Sequence, residues 1–286
     1  MPDSATLVRP SDEELDLFGI THKGLVRSEN QDHFLVSTVH PDLVVHSTSL
    51  PEPGNLPLRG SRLATVLILA DGVGGAAGGS DAARLATETV ARCASTTLRS
   101  YHSAGSEFEN ELIDSLKGAA LEAHTSVLSE SARRADRAKM ATTLTVCIVV
   151  YPWAYVVQVG DSRAYFYTEG KLQLLTRDQT IAQSLVDQGL MPKERMAQSP
   201  FKHVLSSAIG SDEALPEITK FDIATRGSLI IMCSDGLTKH VSDDEIAECV
   251  RTMESSEQVA RKLLDLALER GGTDNITIIT ARALPP

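Results

Sequence analysis

Short apolar runs bounded by glycine, proline or polar residues recur along the chain and are typical of β-strands. We predict strands over residues 15–21, 32–39, 63–70, 142–150, 154–159, 164–167, 172–175, 218–223, 229–233 and 276–280. Other segments carry apolar residues at helical spacing, which predicts helices from Ser80, through 112–127, from Asp243 and through 259–267. Because the strands come in runs and the helices in pairs, we predict an α+β fold with antiparallel sheets covered by helices.

The same pattern sets the predicted domain organisation. Residues 1–14 are polar and without period, so we expect a flexible N-terminal tail followed by a single domain over 15–284. Residues 40–62 are rich in proline and predict a long loop insertion, either a functional flap or a decoration, of which decoration is favoured. Residues 177–215 show only short helices and turns.

Composition narrows the class of protein. The 286 residues carry a formal net charge of −11, which argues against nucleic acid as the main partner. No apolar run approaches the length of a membrane span, and the first residues lack a secretory signal, so we expect no membrane partner and a cytoplasmic location. The four cysteines have neither a disulfide framework nor metal-ligand spacing, and we expect free thiols in a reducing compartment.

Carboxylates stand at the junctions between predicted strands and turns. The pairs Asp71-Gly72, Asp235-Gly236 and Asp274-Asn275 share this position, and Asp32 and Asp161 stand at further junctions. One such aspartate is ordinary in a turn, but several on one rim of packed sheets would repel unless cations lie between them. Oxygen ligands without histidine or cysteine favour Mg²⁺ or Mn²⁺.

An ordered set of motifs covers the chain from about Asp16 to Arg282. It comprises Arg27-Ser28-Glu29-Asn30-Gln31-Asp32, Asp71-Gly72-Val73-Gly74-Gly75, Ala141-Thr142-Thr143, Gly160-Asp161-Ser162-Arg163-Ala164-Tyr165, Leu175-Thr176, Ser234-Asp235-Gly236-Leu237 and Gly272-Thr273-Asp274-Asn275-Ile276-Thr277. In this order the motifs resemble the metal-dependent protein phosphatases of the type 2C serine/threonine class, and most closely its bacterial members. The resemblance implies a four-layer α-β-β-α sandwich, with two antiparallel sheets packed face to face and helix pairs outside. It also implies a binuclear Mg²⁺ or Mn²⁺ centre at one edge, and it identifies residues 177–215 as the variable flap region beside that centre, where substrate choice would lie.

The resemblance assigns metal-binding roles to individual residues. Asp71 would bridge both ions, and the carbonyl of Gly72 would bind one of them. Asp235 and Asp274 would complete the shell of the second ion, and Asp32 would reach the first through water. A water between two cations loses a proton easily and can attack phosphorus, so no phosphoenzyme is required.

The resemblance also implies a phosphate ligand and a weaker third ion. Arg27 would bind the substrate phosphate, for which a guanidinium has the right geometry. Asp161 would hold the third ion with help from Asp235 and an acid beyond it. Lys239 stands a few residues beyond Asp235, where the family has that acid. Two interpretations remain open: the lysine ammonium takes the place of the third ion, or Lys239 faces solvent and another acidic residue binds the ion.

Other departures concern residues around the centre. Gln31 stands where many relatives have Glu, Val73 where some have a histidine thought to protonate the leaving group, and Ala141 where glycine is usual. The other metal ligands that the resemblance implies are present, so we predict an active hydrolase. We expect it to act in signalling on phosphorylated proteins that are substrates of a serine/threonine kinase.

Two alternatives belong to other classes. One is a non-catalytic phosphoprotein-binding module on the same fold, which loss of Asp71, Asp235 or Asp274 would have favoured. The other is a dinucleotide-binding oxidoreductase, because residues 72–77 match a loose glycine-rich fingerprint. That fingerprint requires a second strand about 20 residues on, whereas the pattern predicts another helix.

Overall fold

The computed structural model describes residues 8–42, 60–73, 77–104, 109–133 and 140–284. The strands are β1 (Leu15–His22), β2 (His33–Val39), β3 (Ala64–Ala70), β4 (Gly72–Val73), β5 (Ala141–Thr142), β6 (Leu144–Val150), β7 (Trp153–Val159), β8 (Arg163–Thr168), β9 (Lys171–Leu174), β10 (Glu217–Asp222), β11 (Leu229–Cys233) and β12 (Ile276–Ala283). The helices are α1 (Ala77–Ala104), α2 (Glu109–Arg133), α3 (Ile181–Asp187), α4 (Asp235–Thr238), α5 (Asp243–Thr252) and α6 (Ser256–Glu269), with a 3₁₀ helix at Lys193–Gln198.

Two five-stranded antiparallel sheets form the centre of the fold. One sheet has the order β1-β12-β11-β8-β9 and the other β10-β7-β6-β3-β2, and a small sheet joins β4 to β5. Helices α1 and α2 pack outside the second sheet, and α5 and α6 pack outside the first. The predicted α+β, four-layer sandwich is therefore confirmed.

Strand β3 shows why its sequence is apolar without interruption. Ala64, Val66 and Ile68 face the helical layer, while Leu67 and Leu69 face the other sheet. A strand that is buried on both faces loses the alternation of an exposed strand, so its sequence cannot tell which face is which. The strand ends where the chain reaches the rim of the sandwich.

Most predicted strands begin and end within one or two residues of the observed strands. One prediction is wrong, because a single predicted strand is observed as two. The expected strand 142–150 is divided into β5 and β6. Thr143, which lies between them, donates its backbone N–H to the carbonyl of Asp71 at 2.9 Å, and its hydroxyl accepts the N–H of Asp71 at 3.0 Å. These two bonds between Thr143 and Asp71, the residue that follows β3, therefore separate β5 from β6.

Helix boundaries also differ from the prediction. Helix α1 begins at Ala77, earlier than Ser80, and continues to Ala104. Asp235 begins the short helix α4, where a simple turn was expected. Helices α5 and α6 begin with capping boxes at Ser242 and Ser255, in which the serine hydroxyl and the third helical side chain satisfy backbone N–H groups reciprocally.

Several predictions fall wholly or partly on residues outside the described ranges. These are residues 1–7 of the predicted tail, 43–59 of the predicted loop and residues 74–76 of the glycine-rich segment. Along the described segments, none of the helices combines the length and the apolar character needed to cross a bilayer. All four cysteines are free, and three of them are buried.

The dinucleotide-binding alternative is wrong. It requires a parallel sheet, whereas β3 pairs antiparallel with both of its neighbours, β2 and β6.

Candidate metal centre

Strand register brings the predicted aspartates to one rim. His33 of β2 lies opposite Ala70 of β3, so Asp32, which precedes β2, and Asp71, which follows β3, are neighbours at the same end. In the other sheet Cys233, the last residue of β11, lies opposite Ile278 of β12, which places Asp235 and Asp274 at that end. Antiparallel pairing alternates strand starts and strand ends along a rim, and this is what gathers residues far apart in sequence.

A cleft of about 210 Å³ opens at this rim. Its walls include Arg27, Asp71, Gly72, Asp161, Asp235 and Asp274, together with Gln31, Val73, Thr143, His203, Leu205, Lys239 and Asn275. The structure therefore brings together all the predicted site residues except Asp32 in one cleft wall, and Asp32 lies buried directly behind it.

Two threonines fix the backbone at Asp71. Thr142 Oγ1 donates to the carbonyl oxygen of Asp71 at 2.9 Å, beside the two bonds to Thr143. The Thr143 hydroxyl also contacts the hydroxyl of Ser162 at 2.9 Å, next to Asp161. These bonds set the direction in which the Asp71 carboxylate leaves the sheet.

Asp32 is held by hydroxyl groups. Its Oδ2 accepts from Ser234 Oγ at 2.9 Å and from Thr277 Oγ1 at 2.7 Å. Ser234 is the N-cap residue of α4 but makes no side-chain capping bond, because its hydroxyl points to Asp32 instead. The other oxygen, Asp32 Oδ1, is buried and has no hydrogen-bond partner.

Asn275 ties the Arg27 turn to the rim. Its amide donates to the carbonyl oxygens of Lys23 and Glu29, both at 2.9 Å, and its side-chain oxygen accepts the N–H of Gln31 at 2.9 Å. Gly24 in this turn has φ +77°, and a β-carbon there would lie 2.2 Å from the carbonyl oxygen of Asp274. Only glycine allows the turn to approach so closely.

Two cationic side chains contact Asp274 and Asp235. Arg27 Nε lies 2.8 Å from Asp274 Oδ1, and its NH2 lies 2.9 Å from Asp274 Oδ2. Lys239 Nζ lies 2.6 Å from Asp274 Oδ2 and 2.6 Å from Asp235 Oδ2. Lys239 therefore faces the cleft, and the interpretation that it faces solvent is wrong.

Burial and like charges perturb the pKa values of the carboxyl groups. Burial raises the pKa of Asp32 to about 6, even though the hydroxyls of Thr277 and Ser234 lower it. Burial, reinforced by the charges of Asp235 and Asp178, raises the pKa of Asp161 to about 7, while nearby Lys239 lowers it. The pKa of Asp71 is raised well above its usual range, first by burial and then by the neighbouring aspartates.

Asp274 is shifted in the opposite direction. Burial alone would raise its pKa, but hydrogen bonds from Arg27 and Lys239 outweigh burial, so the pKa is lowered. For Lys239 burial lowers the pKa, and the charges of Asp235 and Asp274 more than offset this, so its pKa is raised.

The oxygen-only donor set of the cleft aspartates fits hard divalent cations. In the described part of the chain no three acidic, histidine or cysteine side chains are already grouped to hold an ion. Asp274 and Asp235 instead direct oxygens at Arg27 and Lys239. The orphaned Asp32 Oδ1 and the raised carboxyl pKa values nevertheless mark a site that lacks positive charge, which Mg²⁺ or Mn²⁺ would supply.

Sequence reasoning missed some residues that shape the site. His203 and Leu205 line the cleft from the segment 177–215, which the resemblance places beside the site as a flap, but the sequence did not single out either residue. Thr143, Ser234 and Thr277 lay within recognised motifs, and their hydrogen-bonding roles appear only with the tertiary structure.

Comparison with known proteins gives consistent matches. The family model described as Protein phosphatase 2C matches residues 58–269. The serine/threonine protein phosphatase PstP of Mycobacterium tuberculosis is 33% identical over 218 residues, which is 76% of this chain and 40% of PstP. This chain thus spans well under two thirds of the length of that curated relative.

Solved structures match over nearly the whole chain. A crystal structure of M. tuberculosis PstP/Ppp has a TM-score of 0.74 and 28% identity, covering 95% of this chain and 99% of that one. A structure of the PstP catalytic domain in complex with 2 manganese ions has a TM-score of 0.70 and 27% identity, with coverages of 95% and 99%.

Proposed function

We propose that this chain, which belongs to the protein phosphatase 2C family, hydrolyses phosphoserine and phosphothreonine in proteins. The observation that supports the proposal is the convergence of Asp71, Asp161, Asp235 and Asp274 with Arg27 in one cleft. A binding module would have no need to keep so many like charges together. The substrates would be proteins phosphorylated by a serine/threonine kinase.

Two bound Mn²⁺ or Mg²⁺ ions would supply an activated water and neutralise charge on the phosphate. Asp71 would hold both ions, with the Gly72 carbonyl and, through water, Asp32 on one side. Asp235 and Asp274 would hold the other ion. A weaker third ion beside Asp161 would have to coexist with the Lys239 ammonium.

Arg27 has the chemistry and position to bind the phosphate. Its side chain is 49% exposed and reaches the cleft from a turn, so the guanidinium can leave Asp274 without disturbing the core. An Arg27 side chain that left Asp274 would be able to donate two parallel hydrogen bonds to a phosphate, and the Asp274 oxygens would then be available to hold an ion. The cysteines are unsuited as nucleophiles, since burial raises the pKa of the Cys147 and Cys233 thiols to about 12.

The test is hydrolysis of p-nitrophenyl phosphate and of a phosphothreonine peptide with Mn²⁺, with Mg²⁺ and with excess chelator. We expect turnover only with metal, and a loss of about 100-fold or more in Asp71→Asn, because the shared ligand of both ions is weakened. Asp265→Asn removes the same charge from an exposed position on α6 and should leave turnover unchanged. Undiminished turnover in chelator would refute the proposal.

A further inference from the structure

Lys239 lies at the end of α4, one helical turn after Asp235. This spacing places its side chain beside the Asp235 carboxylate, and the chain brings Asp274 to the same point from the loop before β12. The ammonium is equidistant from the two carboxylates, at 2.6 Å from one oxygen of each. Its side chain is 21% exposed, and each carboxylate is 17% exposed, so the contact is shielded from bulk solvent.

The two cations of the cleft differ in how they are attached. Arg27 approaches Asp274 from an exposed turn and contacts no other cleft carboxylate within salt-bridge distance in the described structure. Lys239 instead bridges two acids from a position inside the fold, where the backbone N–H of Lys239 donates to the carbonyl oxygen of Asp235 at 2.9 Å. The bridge therefore closes a ring of contacts between α4 and the loop before β12.

The other half of the cleft has no such bridge. Asp32 is bound by the hydroxyls of Ser234 and Thr277, and its second oxygen is unpartnered. A divalent ion that approaches Asp71 and Asp32 meets carboxylates that form no salt bridge with any described residue, whereas one that approaches Asp235 and Asp274 meets a resident ammonium.

We propose that Lys239 is a tethered cation that occupies the Asp235–Asp274 pair in the metal-free protein, so that a divalent ion must displace it to bind there. The inference rests on the proposed function, since it takes these two aspartates as ligands of one ion. It predicts two ions of unequal affinity, with Lys239 setting the difference.

Displacement is feasible for a lysine because its four-carbon stem is flexible and its charge is a compact point. The displaced ammonium stays within the cleft and keeps its positive charge near Asp161. A third divalent cation beside Asp161 is therefore disfavoured by repulsion from the ammonium. The chain would use two ions and one lysine to balance its aspartates.

The test measures metal binding instead of catalysis. Mn²⁺ is titrated into the chelator-stripped protein by calorimetry, and melting curves are recorded with and without Mn²⁺, for wild type, Lys239→Met, Lys239→Gln and Lys239→Arg. We expect the weaker Mn²⁺ site to tighten about tenfold or more in Lys239→Met and Lys239→Gln, because the competing charge is gone. Lys239→Arg keeps the charge and should retain the weak site.

The same two neutral variants should melt at a lower temperature than wild type without metal, and should gain more on addition of Mn²⁺. Lys202→Met is the matched control, since Lys202 is an exposed lysine of the neighbouring segment, and it should bind Mn²⁺ like wild type. A variant that folds only with Mn²⁺ supports the proposal, because the ion then takes the place of the ammonium.

Equal or weaker Mn²⁺ binding in the neutral variants would overturn the inference and leave the proposed function standing. A variant that stays unfolded at saturating Mn²⁺ would also overturn it, by showing that an ion cannot replace Lys239. Absence of Mn²⁺ binding in wild type and variants alike would refute the inference and the metal centre together.

Discussion

The two halves of the cleft place the same residue type in opposite electrostatic surroundings. On the Asp32–Asp71 side the Asp32 carboxylate is buried and accepts hydrogen bonds from neutral hydroxyl groups, and the pKa values of both carboxyl groups are raised. On the Asp235–Asp274 side protein cations contact the carboxylates, and the pKa of Asp274 is lowered. The position of an aspartate in the cleft therefore does not by itself determine its charge. The neighbouring donors decide whether its carboxylate is stable as an anion without metal.

The largest contrast should appear when each half loses one charge. In the metal-free protein Asp71→Asn relieves repulsion among the aspartates and should raise the melting temperature. Asp274→Asn removes the carboxylate that Arg27 contacts and one of the two that Lys239 contacts, and should lower the free energy of unfolding by about 2 kcal/mol. Differential scanning calorimetry in chelator measures both, and shifts of the same sign would remove the distinction between the halves.

The pH dependence of the metal-free protein sharpens the contrast. A carboxyl group whose pKa is raised on folding, such as Asp32 at about 6 or Asp161 at about 7, binds more protons folded than unfolded between about pH 4 and 7. Stability from these groups therefore falls as pH rises through that window and levels off above it. We expect a melting temperature lower at pH 8 than at pH 6 by about 5 °C in chelator.

This pH effect should depend on Asp235, whose negative charge raises the pKa of both Asp32 and Asp161. In Asp235→Asn that repulsion is removed, so the difference between pH 6 and pH 8 should shrink. Saturating Mn²⁺ should abolish or reverse it, because the ion competes with protons for the same oxygens. A melting temperature that rises from pH 6 to pH 8 in chelator would contradict the assignment of these groups.

The smallest effect concerns a single hydroxyl. Thr277→Val keeps the shape of a buried side chain but removes a donor to Asp32 Oδ2, so it should cost about 1 kcal/mol of unfolding free energy. Urea denaturation at pH 7.5 measures this. Thr252→Val, which removes a hydroxyl on the exposed end of α5, is the control and should cost less. Equal losses of unfolding free energy would mean that the hydroxyl bonded to Asp32 contributes no more to stability than a hydroxyl on the protein surface.

The sequence determined the class of fold through its strand runs and paired helices. It also singled out Asp32, Asp71, Asp161, Asp235 and Asp274, because a carboxylate at the edge of an apolar strand is chemically conspicuous. The antiparallel arrangement was predictable from tight strand connections such as that between β6 and β7. These features depend on residues that are close together in the chain, so they can be recognised from the sequence alone.

Tertiary structure decided what the sequence left open. Whether Lys239 faced solvent or the aspartates depended on the register that brings the start of β12 beside the end of β11, a contact between residues far apart in the chain. The division of the expected strand 142–150 likewise depended on bonds between Thr143 and Asp71. Pattern and propensity describe each residue's neighbours along the chain, whereas the charge of a site is set by neighbours that only the packing of two sheets brings together.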